Sequence, residues 1–339
     1  MKKNLTAAFI LILMIMLAAS CGKSGNSSGE EADRANGGDK LKIVTTLYAP
    51  YDFAVQIAGS DADVSMLLSP GEESHSYDPT PQDIISIGEC DLFIYNGGEN
   101  EKWVDGVLES VGDNVRVLRM MDVVDKVYTE EIVDGMQSEE NDDSNGGDGD
   151  GGSAAAAVGE DESEEFDEHV WASLDNAIVI AGAVKDEIAA IDPENEAVYS
   201  ERLDAYVKEL SGVREAIAQV VNGSLRKLLV FGDRFPMRYF TEEFGLDYYA
   251  AFPGCSADTE ADAATIKFLI DKVKEENIPV VFKSEMSSGT IADAIAAETG
   301  AAVRTLYACH NISKEDFESG VGYVDLMKRN MEALKEALN

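Results

Sequence analysis

From residue 41 onward, apolar positions follow two alternating rhythms. Short apolar runs of strand length fall at 41–45, 64–68, 92–95 and 115–118. Between them, apolar residues recur at helical spacing over 48–59, from Pro81 onward, and over 101–111. Thr80-Pro81-Gln82-Asp83 reads as a helix start, with Thr80 as N-cap, Pro81 at the first helical position and Asp83 in the first turn. Strand and helix in alternation predict a parallel sheet with helices on its faces.

The rhythm then changes. A helix is predicted over 175–191, and Asp192-Pro193 interrupts it. Residues 194–221 predict a long amphipathic helix of roughly 40 Å at the α-helical rise. Val198, Leu203, Tyr206, Leu210, Val213 and Ile217 form its apolar face. After it the first grammar returns, with strands predicted at 228–231, 248–252, 280–282 and 302–308. Helices are predicted at 236–244, 261–276, 290–299 and 313–338. The expected fold class is α/β: two doubly wound parallel-sheet lobes joined by a long rigid helix, with a cleft between them. The expected domains are an N-terminal lobe at 41–172, linking helices at 173–224 and a C-terminal lobe at 225–339.

Two stretches stand outside this grammar. Lys2 and Lys3 precede an apolar run, Leu5 to Ala19, that has the length of a secretory leader and is short for a bilayer span. It ends in Leu17-Ala18-Ala19-Ser20-Cys21, which resembles a bacterial lipobox. That resemblance implies a signal peptide over 1–20, acylation of Cys21, and a polar tether over 21–40. The folded body is then expected outside the cytoplasmic membrane, held there by lipid. The second stretch, about 130–166, has no Lys or Arg and is crowded with Asp, Glu and Gly. It lacks the apolar surface to fold alone and is expected to be a disordered acidic spacer. Its Asp-Gly-Asp-Gly string resembles calcium loops but has neither the EF-hand spacing nor the closing Glu.

Charge narrows the partners. Against 27 Lys and Arg stand 65 Asp and Glu, a formal net charge of −38. Such a surface repels nucleic acid and attracts cations. Besides Cys21 there are Cys90, Cys255 and Cys309. Cys255 and Cys309 each follow an apolar strand-like run in the same half, and a disulfide between them is expected in an oxidising compartment. Cys90 reads as a small buried thiol.

The chemistry lies in three histidines, the only ones in the chain. His75, His169 and His310 each occupy a short irregular segment near carboxylates. Any one alone reads as an ordinary surface or capping histidine. Two of them fall where open α/β sheets bind ligands, beyond the carboxyl ends of strands, and His169 lies just before the helices that lead to the long rigid helix. His75 follows the second predicted strand and His310 the last. Asp233 and Glu285 follow two others. Imidazoles with a carboxylate suit four-coordinate Zn²⁺, and more oxygen ligands suit Mn²⁺. Each ligating His needs its second nitrogen fixed. Glu73, Asp78, Asp167 and Glu168 are near in sequence, and spacing does not choose among them.

Ser69-Pro70-Gly71 with His75, Tyr77, Pro79, Pro81 and Asp83 resembles the first metal-ligand segment of the zinc/manganese class of ABC-transporter solute-binding proteins. Asn96-Gly97 followed by Glu101 and Trp103 resembles the segment that comes next in that family. Asp167-Glu168-His169-Val170-Trp171 is similar to its second ligand segment. Asp192-Pro193-Glu194-Asn195 with Tyr199, and Tyr323, Met327, Asn330 and Leu334, match its later patterns. The resemblance spans nearly all of the chain after the tether. It implies a non-enzymatic binding protein that captures a divalent metal, zinc first and manganese as the alternative, and delivers it to an ABC permease. A monomer is expected. The family's third ligand, a His or Glu near the end of the first strand of the second lobe, has no His counterpart here, where the segment reads Gly232-Asp233-Arg234. His310 is the favoured substitute and Asp233 the secondary one. Glu285 resembles the family's acidic position after the next strand. The family's loop before the second ligand is often His-rich in zinc members, whereas this one is acidic. A surface adhesin on the same fold is a further reading. A metallohydrolase is disfavoured because the chain has neither His-Glu-x-x-His nor Gly-x-Ser-x-Gly.

Overall fold

A computed structural model describes residues 40–73, 77–112, 115–137, 165–256 and 260–339. The leader, Cys21, the tether up to residue 39, His75 and most of the acidic stretch lie outside the described residues.

The first sheet holds β1 (Leu41–Thr45), β2 (Ala62–Met66), β3 (Leu92–Tyr95) and β4 (Arg116–Arg119), all parallel, in the order β2-β1-β3-β4. The helices α1 (Tyr48–Ala58), α2 (Pro81–Gly88) and α3 (Trp103–Val111) connect these strands. The start of α2 is the one read from sequence. Thr80 accepts from the backbone of Asp83, and the Asp83 carboxylate accepts in return from Thr80.

Next come α4 (Leu174–Ile191) and α5 (Glu196–Gly223), with a single 3₁₀ turn at Pro193–Asn195 between them. Ser173 caps α4 by accepting from the backbone of Asn176. The 28 residues of α5 give a rod of about 42 Å. Its inner face carries Tyr199, Tyr206, Leu210, Val213, Ile217 and Val221, all buried. Tyr206 also donates to the buried Asp52 of α1 at 2.8 Å, so the rod is joined to the first sheet's helices by more than apolar contact.

The second sheet repeats the first. β5 (Leu228–Arg234), β6 (Asp247–Phe252), β7 (Val280–Lys283) and β8 (Ala302–Thr305) are parallel in the order β6-β5-β7-β8. Their connections are α6 (Arg238–Phe244), α7 (Ala263–Glu275) and α8 (Thr290–Thr299). The chain closes with α9 (Lys314–Glu318) and α10 (Tyr323–Leu338). One core cluster runs through β1, β3, β5 and β7 and takes in α1, α4, α5 and α10. Residues 40–339 accordingly form one compact unit. Among the described residues, no helix is long and apolar enough to cross a membrane.

Three expectations are corrected. β2 lies two residues earlier than predicted, at Ala62–Met66. The predicted terminal helix is two helices, divided at Gly320, whose φ of 70° is left-handed. β8 ends at Thr305 and not at residue 308, which leaves residues 306–312 as a loop. That loop carries His310.

Candidate metal centre

In each sheet the strand order reverses between its first and third strands, which is where such folds bind ligands. Around the reversal of the first sheet, Thr46, Leu47, Asn96, Glu101, Tyr77, Trp103, Glu168 and Trp171 line a pocket whose wall includes His310. Beside the reversal of the second, Arg234, Ser284, Glu285 and Gly254 line another, and His310 is in that wall too. Glu73 and Tyr77, the described residues flanking His75, line the second and first pockets respectively.

His169 is fully buried on the turn before α4. Its Nδ1 lies 2.9 Å from Asp167 Oδ1, and the same oxygen accepts its backbone N–H at 2.8 Å. A carboxylate at Nδ1 takes the ring proton there and leaves Nε2 with a lone pair. Nε2 is buried with no hydrogen-bond partner among the described residues. Burial alone pushes the imidazole pKa down. The carboxylates of Asp167, Glu168 and Glu130 outweigh it and raise it above the ordinary value.

The segment around His169 is gripped carbonyl by carbonyl. Tyr239 donates to Asp167 O, Asn96 to Glu168 O, Asn176 to Val170 O and Tyr323 to Trp171 O, all within 3.0 Å. On another side Gly254 leaves no room for a side chain. A Cβ there would lie 3.0 Å from His169 Cε1 and 3.2 Å from Asp167 Oδ2.

His310 comes from the other half. Its ring stands edge-on to that of His169 with centroids 4.4 Å apart, and 4.9 Å from Trp171. It is half-buried and is placed through its backbone. Its N–H donates to Glu285 Oε1, and its carbonyl accepts from Tyr48 N–H at the start of α1. Glu285 Oε2 accepts from Ala308, and Trp171 Nε1 donates to Ala308 O. Asn330 exchanges two 2.8 Å hydrogen bonds with the backbone of Tyr307. This grip holds Cys309 at φ 62°, a left-handed conformation that costs a non-glycine residue on the order of 1 kcal/mol.

Of the expected ligand residues, His169 and His310 are together, and Glu285 lies directly under the His310 loop. The enclosure of its carboxyl group pushes the pKa of Glu285 up to about 7, against the pull of the backbone N–H donors. Asp233 is turned elsewhere. Its Oδ2 accepts from Ser284 N and Oγ at 3.0 and 2.8 Å, and its Oδ1 accepts from Arg234 N. Among the described residues no three His, Cys, Asp or Glu groups are clustered to hold a metal. His75 is outside those residues.

The expected Cys255–Cys309 disulfide is corrected: both thiols are free. They face different neighbours. Cys255 lies among Glu130, Asp167 and Glu168, and its N–H donates to Glu130. Cys309 is buried near Glu285, Asp52, Tyr48 and Tyr323. Burial pushes both thiols up. Cys90 is buried and free, as read.

Asn96 stands in the Asn-Gly segment singled out in the sequence, whereas Asn176, Tyr239 and Asn311 were missed as supports of the site. For Tyr323 and Asn330 a signal existed in the terminal Tyr-Met-Asn-Leu pattern, whose Tyr holds the His169 segment and whose Asn holds the His310 loop.

The family model described as "Zinc-uptake complex component A periplasmic" (ZnuA) matches residues 43–337. The chain is 31% identical over 338 residues to the high-affinity zinc uptake system protein ZnuA of Bacillus subtilis strain 168, covering 100% of this chain and 99% of that one. It is 26% identical over 348 residues to the manganese ABC transporter substrate-binding lipoprotein PsaA of Streptococcus pneumoniae, covering all of both. Its fold is similar to the Zn(II)-bound ZnuA-like domain of Streptococcus pneumoniae AdcA, with a TM-score of 0.69 and 26% identity over 88% of this chain and 99% of that one. With the model spanning both sheets and the helix between them, the chain belongs to the ZnuA family, the zinc/manganese-type solute-binding proteins of ABC transporters, and is a non-enzymatic transport component.

Proposed function

We propose that this protein captures Zn²⁺ outside the cytoplasmic membrane and hands it to an ABC permease. His75, His169 and His310 are its imidazole ligands and Glu285 the fourth donor. The observation that carries this reading is the Nε2 of His169, buried without a hydrogen-bond partner among the described residues while Asp167 occupies Nδ1. An unpaired buried polar atom costs about 1–3 kcal/mol, and a cargo metal at Nε2 would relieve it. The His310 ring 4.4 Å away supplies a second imidazole from the opposite half.

Imidazole-rich coordination favours zinc over manganese. Asp233 is the secondary candidate, and its recruitment would add the oxygen that manganese prefers. The relatives point both ways: one is named for zinc uptake and one for manganese. Relatives named as lipoproteins support anchoring through Cys21.

The test is metal analysis of protein purified without added metal, followed by competition between Zn²⁺ and Mn²⁺. One tightly held zinc per chain, held measurably more weakly in His75→Ala and in His169→Ala, is the expected result. Tight manganese with weak zinc would replace His310 by Asp233 in the ligand set. Absence of tight binding to either metal would sink the reading.

A further inference from the structure

The residue after His310 does something the cargo ligands do not require. Asn311 is 1% exposed, and its side chain reaches from the β8–α9 loop to the segment that leads to His75. Its Nδ2 donates to Ser69 O at 2.8 Å and to Glu72 O at 2.7 Å. Its Oδ1 accepts from the N–H of Ile312. All three of these bonds are therefore local to two loops, one from each half of the chain.

The four residues it grips form a turn. Ser69 O accepts from Glu72 N–H at 3.1 Å, Pro70 takes the second position, and Gly71 has φ 85°. This is the pattern of a type II turn, which needs Gly or Asn at its third position. Asn311 thus ties the first and last carbonyls of a stiff turn to the backbone that carries His310. The turn ends three residues before His75 in the chain. A second tie, the ion pair between Arg234 and Glu73 at 2.9 Å, reaches the same segment from β5.

We infer that Asn311 is a positioning residue for metal capture: it sets the spacing between the loop of His310 and the segment of His75. This rests on the reading of His75 as a ligand. Asn311 itself does not touch the cargo. Only a side chain with two N–H donors and an acceptor makes this connection, and aspartate, equal in size, offers oxygens where the two carbonyls need donors.

The experiment measures Zn²⁺ affinity by chelator competition for the full chain, for Asn311→Asp and Asn311→Ala, and for each combined with His75→Ala. Circular dichroism and the melting temperature of the metal-free protein report folding, and the isosteric Asn311→Asp guards against misfolding of the alanine variant. Removing an outer support of a metal ligand typically weakens affinity about 10–100-fold, and that is the loss expected in the His75 background. In the His75→Ala background the same substitutions change affinity by less than about twofold, because the ligand they position is gone. The inference is overturned if Asn311→Asp leaves affinity at the wild-type value, or if its loss multiplies in full with that of His75→Ala. Wild-type zinc affinity in His75→Ala alone would instead overturn the ligand reading, and the inference with it.

Discussion

His169 and His310 stand 4.4 Å apart and are mounted in opposite ways. His169 is held by its ring: a carboxylate fixes Nδ1, and four carbonyls of its own segment are pinned by side chains from both halves. His310 is held by its backbone, through the N–H to Glu285 and the carbonyl to Tyr48. Each half also places a glutamate that accepts backbone N–H groups where a loop leaves a strand. Glu101 does so for Gly97, and Glu285 for Ala308 and His310. The two sheets share a strand order, yet the site between them is not symmetric. A repeated fold has supplied two equivalent places, and different side chains have fixed one at both ring and main chain and the other through the main chain.

The largest expected effect tests whether both mounts serve one cargo. Zinc at about 1,000 times its dissociation constant should stabilise the protein by about 4 kcal/mol, read as a rise in melting temperature that chelation reverses. His169→Ala and His310→Ala should each abolish that rise. If only one of them does, the two histidines do not share a metal.

The next effect separates the two glutamates. Burial raises the pKa of Glu101 from 4.5 to about 7, even though Gly97 N–H and Thr46 pull it down. Between those two values the folded state binds more protons than the unfolded one. Stability therefore falls as pH rises through that window, by up to about 3 kcal/mol. Glu101→Gln keeps an oxygen for the Gly97 N–H and removes the titration. Its stability relative to wild type, from urea unfolding in chelator, should improve by about 2–3 kcal/mol between pH 4.5 and pH 8. A pH-independent difference would remove Glu101 as the titrating group.

Asp167→Asn should weaken zinc binding about 10–100-fold with little change in the metal-free melting temperature, because the amide can present its N–H to Nδ1 and favour the wrong tautomer. An undiminished affinity would mean that the ring of His169 is oriented by packing alone. The smallest effect is expected from Gly254→Ala. Its Cβ would press on His169 Cε1 at 3.0 Å and Phe235 O at 2.9 Å, and a shift of that kind costs about 1 kcal/mol. It should be read in affinity more than in stability, and the reverse would place the strain elsewhere.

Much of the fold was legible because strand and helix periods alternate cleanly, and because Thr80-Pro81-Gln82-Asp83 is a local capping signal that needs no tertiary help. The errors came where tertiary context decides. Residues 306–308 are apolar enough to read as strand, but Asn330 takes over the hydrogen bonds of Tyr307 and bends the chain away. The cysteines look alike in sequence, each just past a strand, and their thiols nonetheless face separate carboxylate neighbourhoods. Asp167 could not be preferred over Glu168 by spacing. The first turns to the ring of His169, and the second accepts from Asn100 at both oxygens. Asn176 and Asn311 were invisible for a different reason: an asparagine is ordinary until the carbonyl it serves is known.

The chain has two tryptophans, and both Trp103 and Trp171 line the pocket that His310 shares. Trp171 also packs tilted against the ring of His169, with centroids 5.6 Å apart, and edge-on to that of His310 at 4.9 Å. All of the indole emission of this protein therefore arises beside the candidate ligands. Occupancy can be followed by intrinsic fluorescence, without label or dye, with Trp103→Phe isolating the signal of the tryptophan that touches both imidazoles.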